Sequence, residues 1–108
     1  MDHTWANIQT VAKLCLEGVH VTLLDEKNEV TALLPGEYVV GRGDYPFLSL
    51  FSFSAQCEGV TLKGVKYPLT DYLLKNTDGG FTVSNEILDE KGAISFRSGL
   101  MLMMRTRD

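Results

Sequence analysis

The 108-residue sequence has little of what marks the more specialised classes of protein. It contains only two cysteines, Cys15 and Cys57, with no CxxC pair and no paired histidine nearby, so it indicates neither a zinc site nor a disulfide framework. We expect both to be small buried hydrophobic residues. No apolar run approaches the roughly 18 to 20 residues that a membrane span requires. The first residues lack a basic stretch followed by an apolar one, and we therefore expect a cytoplasmic protein.

Positive charge is also scarce. The chain has 10 lysines and arginines against 14 aspartates and glutamates, which gives a net charge of −4, and no basic run occurs. Because nucleic-acid binding depends on neutralising phosphates, we expect no DNA or RNA partner. With 44% hydrophobic and 22% charged residues, the chain can bury a core of its own.

The first segment predicts one amphipathic helix over residues 2–17. Apolar residues recur at three- and four-residue spacing on one face, namely Trp5, Ile8, Ala12, Cys15 and Leu16. The polar face carries Asn7, Thr10, Lys13 and Glu17. Asp2 or Thr4 can cap the start of the helix, and Gly18 can end it in the left-handed conformation.

After Gly18 the hydrophobic period changes from 3.6 to 2, which predicts β-structure for the rest of the chain. The predicted strands are residues 19–24, 29–34, 37–40, 47–53, 59–62, 71–74, 81–83, 93–96 and 100–105. Turn signals at 25–28 and 78–80 predict hairpins. The fold class is therefore mainly β, an antiparallel β-sandwich that could be barrel-like, with one N-terminal α-helix.

Residues 100–104 are apolar on both faces of their predicted strand. Such a strand is either central in the core or covered by a partner chain. A central position is the simpler prediction, and a homodimer is the second.

Few residues carry chemistry on their own. His3 and His20 have no carboxylates at metal-ligand spacing, no GxSxG nucleophile motif occurs, and residues 41–44 predict a turn and not a phosphate-binding loop. Asp2 would place a carboxylate at a helix N-terminus, where it could face Mg²⁺ or serve only as a cap. Ser84 and Asn85 offer a hydroxyl and an amide, for a ligand or for a turn.

Four segments, in this order, resemble the thiamine pyrophosphokinase family. Residues 2–7 (DHTWAN) are similar to the second half of the motif Gly-Gly-Arg-x-Asp-His-x-x-Ala-Asn, whose aspartate lies at the active site. Residues 60–69 are similar to a segment of the family's sandwich domain, and residues 83–86 to the Ser-Asn motif that helps to hold thiamine. Residues 95–100 are similar to its closing strand pair.

The resemblance implies an enzyme that transfers pyrophosphate from ATP to thiamine, giving thiamine diphosphate and AMP. Residues 1–18 would be the helix that follows an N-terminal nucleotide-binding domain, and residues 19–108 the thiamine-binding sandwich. The Gly-Gly-Arg triplet is absent, so this chain would be part of a longer enzyme and inactive alone. Mg²⁺ and ATP would be held mostly by the other domain.

The resemblance also implies site residues. Ser84 and Asn85 would bind the pyrimidine of thiamine, while Asp2 would act at the phosphoryl-transfer end as a catalytic residue and could ligate Mg²⁺. Lys66, Tyr67 and Trp5 are supporting candidates, and their alternative roles are a solvated lysine, a core tyrosine and helix packing. The family's thiamine site forms between two subunits, which favours a homodimer.

Two other hypotheses stay open at this point. One is a non-catalytic β-sandwich that serves as a dimerisation or scaffold module, motivated by the missing nucleotide machinery and the apolar last strand. The other is an enzyme that acts alone through Cys57 or a histidine, for which the sequence offers little support.

Overall fold

A computed structural model describes residues 2–19, 21–24, 26–43, 45–78 and 85–107, with side chains from residue 7 onward. One helix, α1 (Asp2–Leu16), precedes all of the strands. The strands are β1 (Thr22–Leu24), β2 (Asn28–Leu33), β3 (Gly36–Gly41), β4 (Phe47–Ser52), β5 (Gln56–Lys63), β6 (Leu69–Lys75), β7 (Asn85–Glu86), β8 (Lys91–Phe96) and β9 (Met101–Thr106).

The strands form two antiparallel sheets that face each other. The five-stranded sheet has the order β1-β2-β9-β4-β7, and the four-stranded sheet has the order β3-β8-β5-β6. Strand alternation sends one set of side chains from each sheet into a shared core. That core contains Leu33, Leu48, Leu50, Met101 and Met103 from the first sheet, and Val40, Cys57, Val60, Leu62, Leu74, Ile94 and Phe96 from the second.

A second, smaller core lies on the outer face of the five-stranded sheet, under α1. The helix contributes Ile8, Val11, Ala12 and Cys15, and the sheet contributes Val30, Ala32, Leu100 and Leu102. Cys15 also donates its Sγ–H to the carbonyl of Ala32 at 3.4 Å. Burial of this apolar stripe fixes the helix on the sheet.

The end of α1 follows the prediction made from Gly18. Gly18 has a φ of +87°. Its N–H donates to the carbonyl of Cys15, and the N–H of Val19 donates to the carbonyl of Leu14, which is the Schellman arrangement that satisfies the last carbonyls of a helix. At the other end, Thr4 lies inside the helix and is therefore not its cap.

The apolar face of the helix was predicted with one error. Leu16 is 65% exposed, whereas Val11, which the pattern omitted, is buried. Leu16 is the last residue of the helix and faces away from the sheet, although Cys15 beside it is buried. The four residues predicted for the polar face, Asn7, Thr10, Lys13 and Glu17, are exposed.

The sandwich and most of its strands are confirmed, and the two described sheets are open, so they form no closed barrel. The central position of residues 100–104 is confirmed, because β9 pairs with β2 on one side and β4 on the other. The hairpin at 25–28 is confirmed by the β1–β2 register. The predicted strand at 81–83 and the glycines of the 78–80 turn lie outside the described residues. The predicted closing pair is corrected, since β8 and β9 belong to different sheets.

Candidate functional site

The structure describes three of the six predicted site residues in full. Lys66 and Tyr67 lie in the connection between β5 and β6, and Asn85 begins β7. Asp2 and Trp5 lie in the first two turns of α1, and their side chains are outside the described part of the structure. Ser84 also lies outside the described residues.

Residues 64–69 form a sharp corner, as their glycine and proline predict. Gly64 has a φ of +76°, and a Cβ added there would lie 2.6 Å from the carbonyl oxygen of Lys91. Only glycine tolerates both the backbone angle and the contact. Pro68 disfavours a helical conformation at the residue before it, which is in keeping with a turn at this point.

Asn85 fastens this corner with its side-chain amide. Its Oδ1 accepts the N–H of Tyr67 at 3.0 Å, and its Nδ2 donates to the carbonyl of Tyr67 at 2.8 Å. The same Oδ1 accepts the N–H of Glu86 at 2.9 Å. The amide therefore pairs with the backbone of Tyr67 as a neighbouring strand would. Asn85 is only 2% exposed, so these hydrogen bonds satisfy a buried polar group.

Backbone hydrogen bonds complete the contact between the corner and the segment after Asn85. The N–H of Lys66 donates to the carbonyl of Glu86 at 2.8 Å, and the N–H of Leu88 donates to the carbonyl of Gly64 at 3.0 Å. Val65 and Ile87 form an antiparallel bridge between these two bonds. Since β7 belongs to the five-stranded sheet and the corner to the four-stranded one, this contact joins the sheets at one end of the sandwich.

The side chains of Lys66 and Tyr67 face solvent, whereas Val65 of the same corner is buried in the core. Tyr67 is 56% exposed, so the predicted alternative of a core tyrosine is wrong. The Nζ of Lys66, which is also exposed, lies 5.5 Å from the centre of the Tyr67 ring, within the range of a cation–π contact. A rigid backbone thus presents an aromatic ring and an ammonium group side by side.

Arg105, which the sequence analysis did not single out, holds the loop between β3 and β4, next to β7. Arg105 of β9 donates from its Nη2 to the carbonyls of Gly41, Arg42 at 3.0 Å and Tyr45 at 2.9 Å. Its Nε is buried without a hydrogen-bond partner among the described residues. The only signal in the sequence was a charged residue inside an apolar strand. Arg42, held in place by this loop, lies 3.7 Å from Glu86 of β7.

Cys57 has no catalytic environment. It is fully buried, and its Sγ lies 3.5 Å from the Oγ of Ser52. Burial raises the pKa of its thiol above the ordinary value of 9.0, which keeps it protonated and unreactive. The hypothesis of an enzyme acting through Cys57 is therefore not supported.

Within the described ranges, no group of three or more His, Cys, Asp or Glu side chains could hold a metal ion. None of the helices described there is long and apolar enough to cross a membrane.

Comparison with known proteins gives this arrangement a context. Residues 37–101 match the family described as "Thiamin pyrophosphokinase, vitamin B1 binding domain". The chain belongs to this family. It is also 31% identical over 108 residues to thiamine pyrophosphokinase from Bacillus subtilis (strain 168), a match that covers 99% of this chain and 50% of that protein.

Solved structures of the thiamine pyrophosphokinase family share the fold described above. The chain matches the Bacillus subtilis enzyme with a TM-score of 0.94 and 30% identity, over 100% of this chain and 50% of that one. It matches the enzyme from Geobacillus thermodenitrificans with a TM-score of 0.86 and 30% identity, over 99% and 49%. The chain therefore spans about half the length of these relatives.

The segment that matches the vitamin B1 binding family contains the corner and Asn85. Lys66, Tyr67, Ser84 and Asn85 all fall within residues 37–101, whereas Asp2 and Trp5 precede it. The corner at 64–69 and its contact with β7 therefore lie within the segment that matches this family.

Proposed function

We propose that this chain is the thiamine-binding part of an enzyme that transfers pyrophosphate from ATP to thiamine. The observation that carries the proposal is the match of residues 37–101 to the vitamin B1 binding family, which includes the corner held by Asn85. In the proposed reaction the hydroxyl of thiamine attacks the β-phosphorus of ATP, and AMP leaves. The scaffold alternative has no such observation in its favour.

The chemistry of thiamine suits the surface around the corner. Thiamine carries a permanent thiazolium charge and an aminopyrimidine ring with several donors and acceptors. The chain has a net charge of −4, and the exposed Tyr67 ring offers a flat surface on which a heterocycle can stack. Ser84 and Asn85 belong to this proposed subsite, with Lys66, Tyr67 and Trp5 as supporting residues.

Asp2 is proposed to act at the phosphoryl-transfer end, as the residue that helps to orient the attacking hydroxyl or contacts Mg²⁺. One carboxylate does not make a magnesium site, and no described cluster of acidic or histidine side chains adds to it. The described residues therefore do not form a complete Mg²⁺ site by themselves. In this proposal residues 1–18 link the sandwich, residues 19–108, to a nucleotide-binding domain that holds ATP.

Assembly and location are part of the same proposal. We propose a homodimer that pairs through the outer face of the five-stranded sheet beside α1. There the half-buried Phe51, Phe53 and Met104 surround a cavity of about 450 Å³. We place the protein in the cytoplasm, where ATP is available and where two free thiols are in keeping with the reducing conditions.

A titration of the ¹⁵N-labelled chain with thiamine, followed by two-dimensional amide NMR, tests the proposal. We expect saturable shifts at Lys66, Tyr67, Asn85 and Glu86, weakened by Ser84→Ala. Choline serves as the control ligand, because it has the cationic charge but no pyrimidine, and it should shift these amides far less. A well-dispersed spectrum that does not respond to thiamine would contradict thiamine binding by this chain and favour the scaffold module.

A further inference from the structure

The amide of Asn85 has little hydrogen-bonding capacity left for a ligand. An asparagine side chain offers two acceptor positions on Oδ1 and two hydrogens on Nδ2. Tyr67 and Glu86 occupy both acceptor positions, and the Tyr67 carbonyl takes one of the two hydrogens. With Asn85 only 2% exposed, its last hydrogen is hardly accessible from solvent.

A ligand that bound this amide directly would have to displace the backbone of Tyr67. Displacement would separate the N–H and the carbonyl of Tyr67 from their partners at 3.0 and 2.8 Å. Lost hydrogen bonds of this kind are costly unless every group finds a new partner. The geometry therefore disfavours direct recognition of a ligand by the Asn85 amide and favours a role for this amide in fixing the corner.

We infer that Asn85 is a positioning residue, which fixes the backbone of Tyr67 so that the Tyr67 ring and the Lys66 ammonium group are held where the ligand binds. The inference rests on the proposed function and changes the role of Asn85 within it. Gly64 and Pro68 mark the two ends of the corner, and backbone bonds from Lys66 and Leu88 tie it to β7. The Asn85 amide is the side-chain group that fastens Tyr67 itself.

The placement of the ring determines what kind of ligand part it can bind. Lys66 lies 5.5 Å from the centre of the Tyr67 ring, so a cation already occupies a position against the ring. A second cation would be repelled by this ammonium group, while a neutral flat heterocycle would not. The clamped corner is thus suited to the aminopyrimidine end of thiamine and not to the thiazolium end.

Asn85→Ala and Asn85→Asp test the clamp without any ligand. Hydrogen exchange at the Tyr67 amide should become at least about tenfold faster in Asn85→Ala, because its acceptor is gone. Asn85→Asp keeps an acceptor for the Tyr67 N–H but puts an oxygen in place of the donor to the Tyr67 carbonyl, so its protection should be intermediate, and it also serves if the alanine variant fails to fold. Thr77→Ala, at an exposed residue in the turn after β6, is the control and should change neither amide exchange nor thiamine affinity.

A double-mutant cycle then separates positioning from direct contact. In the otherwise unchanged chain, Asn85→Ala should weaken thiamine binding by about tenfold, with partial rescue in Asn85→Asp. In a chain that carries Lys66→Ala and Tyr67→Ala, the same change should have almost no further effect, because the groups that Asn85 places are absent. Additive losses, or unchanged exchange at Tyr67 in Asn85→Ala, would overturn the inference. If the unaltered chain does not bind thiamine at all, the proposed function itself fails.

Discussion

Single side chains that bind backbone groups hold together the end of the sandwich that carries β7. Asn85 pairs with the backbone of Tyr67, and Arg105 gathers the carbonyls of the loop between β3 and β4. Both act where the chain leaves regular strands and where ladder hydrogen bonds no longer satisfy the backbone. The end of the sandwich that carries β7 is therefore fixed by specific polar groups as well as by the apolar packing of Val65 and Ile87.

Arg105→Met should destabilise the fold by about 2–3 kcal/mol, because three carbonyls and Glu29 lose a charged donor in a nearly buried site. The Arg105 side chain is only 12% exposed, so water can replace these bonds only in part. Urea unfolding measures the loss. Arg42→Met is the matched control, since its side chain is half exposed, and it should change stability by less than about 0.5 kcal/mol. Equal effects of the two substitutions would refute this account of Arg105.

Cys15 and Cys57 should both be unreactive towards a disulfide reagent in the native chain at pH 8 and should both react once urea unfolds it. Burial raises the pKa of each thiol above 9.0, so the native state holds protons that the unfolded state releases. Stability should therefore be unaffected by these groups below pH 9 and should fall as the pH rises above it. Tyr38 and Tyr72, whose pKa values are also raised by burial, add to the fall above pH 10. A thiol that reacts rapidly in the folded chain would contradict the prediction.

At the scale of elements, hydrophobic period predicted where helices and strands lie but not which sheet each strand joins. The period-two pattern of β8 and β9 is clear in sequence, yet the chain crosses from one sheet to the other between them. Gly99 makes this crossing possible with a φ of +100°. A Cβ there would lie 2.9 Å from the Sγ of Cys57 and even closer to the carbonyl oxygen of Gln56.

Gly99→Ala should therefore destabilise the chain by about 3 kcal/mol, through the left-handed backbone angle and the contact with β5 together. Thermal unfolding followed by circular dichroism measures the loss. The matched control is Gly41→Ala at the end of β3, where an added Cβ meets no heavy atom within 4 Å. Its effect should stay within about 0.5 kcal/mol. A similar melting temperature for both variants would show that the crossing between the sheets does not require glycine at position 99.

For the whole molecule, the sequence was sufficient for the fold class and insufficient for the way the site is built. The buried β9 could be predicted because its apolar pattern has no polar face, and the corner could be predicted from Gly64 and Pro68. The hydrogen bonds from Asn85 to Tyr67 could not, because they join residues 18 positions apart through tertiary contact. Arg105 was missed for the same reason, since its acceptors lie 60 to 64 positions away.

The two outer faces of the sandwich differ in a way that predicts how the chain assembles. On the five-stranded sheet, Phe51 and Met104 lie half-buried beside the cavity next to α1. On the outer face of the four-stranded sheet, Val39 is 72% exposed, and Tyr38 is the one aromatic residue of its strand. Light scattering should give twice the 12.0 kDa mass of one chain. Phe51→Ser should reduce it to one chain, because a polar side chain weakens the apolar contact that the proposed dimer would bury. Val39→Ser, the matched change on the other face, should leave the dimer intact. Circular dichroism confirms that both variants stay folded, and a mass of one chain for the unaltered protein would rule out this mode of assembly.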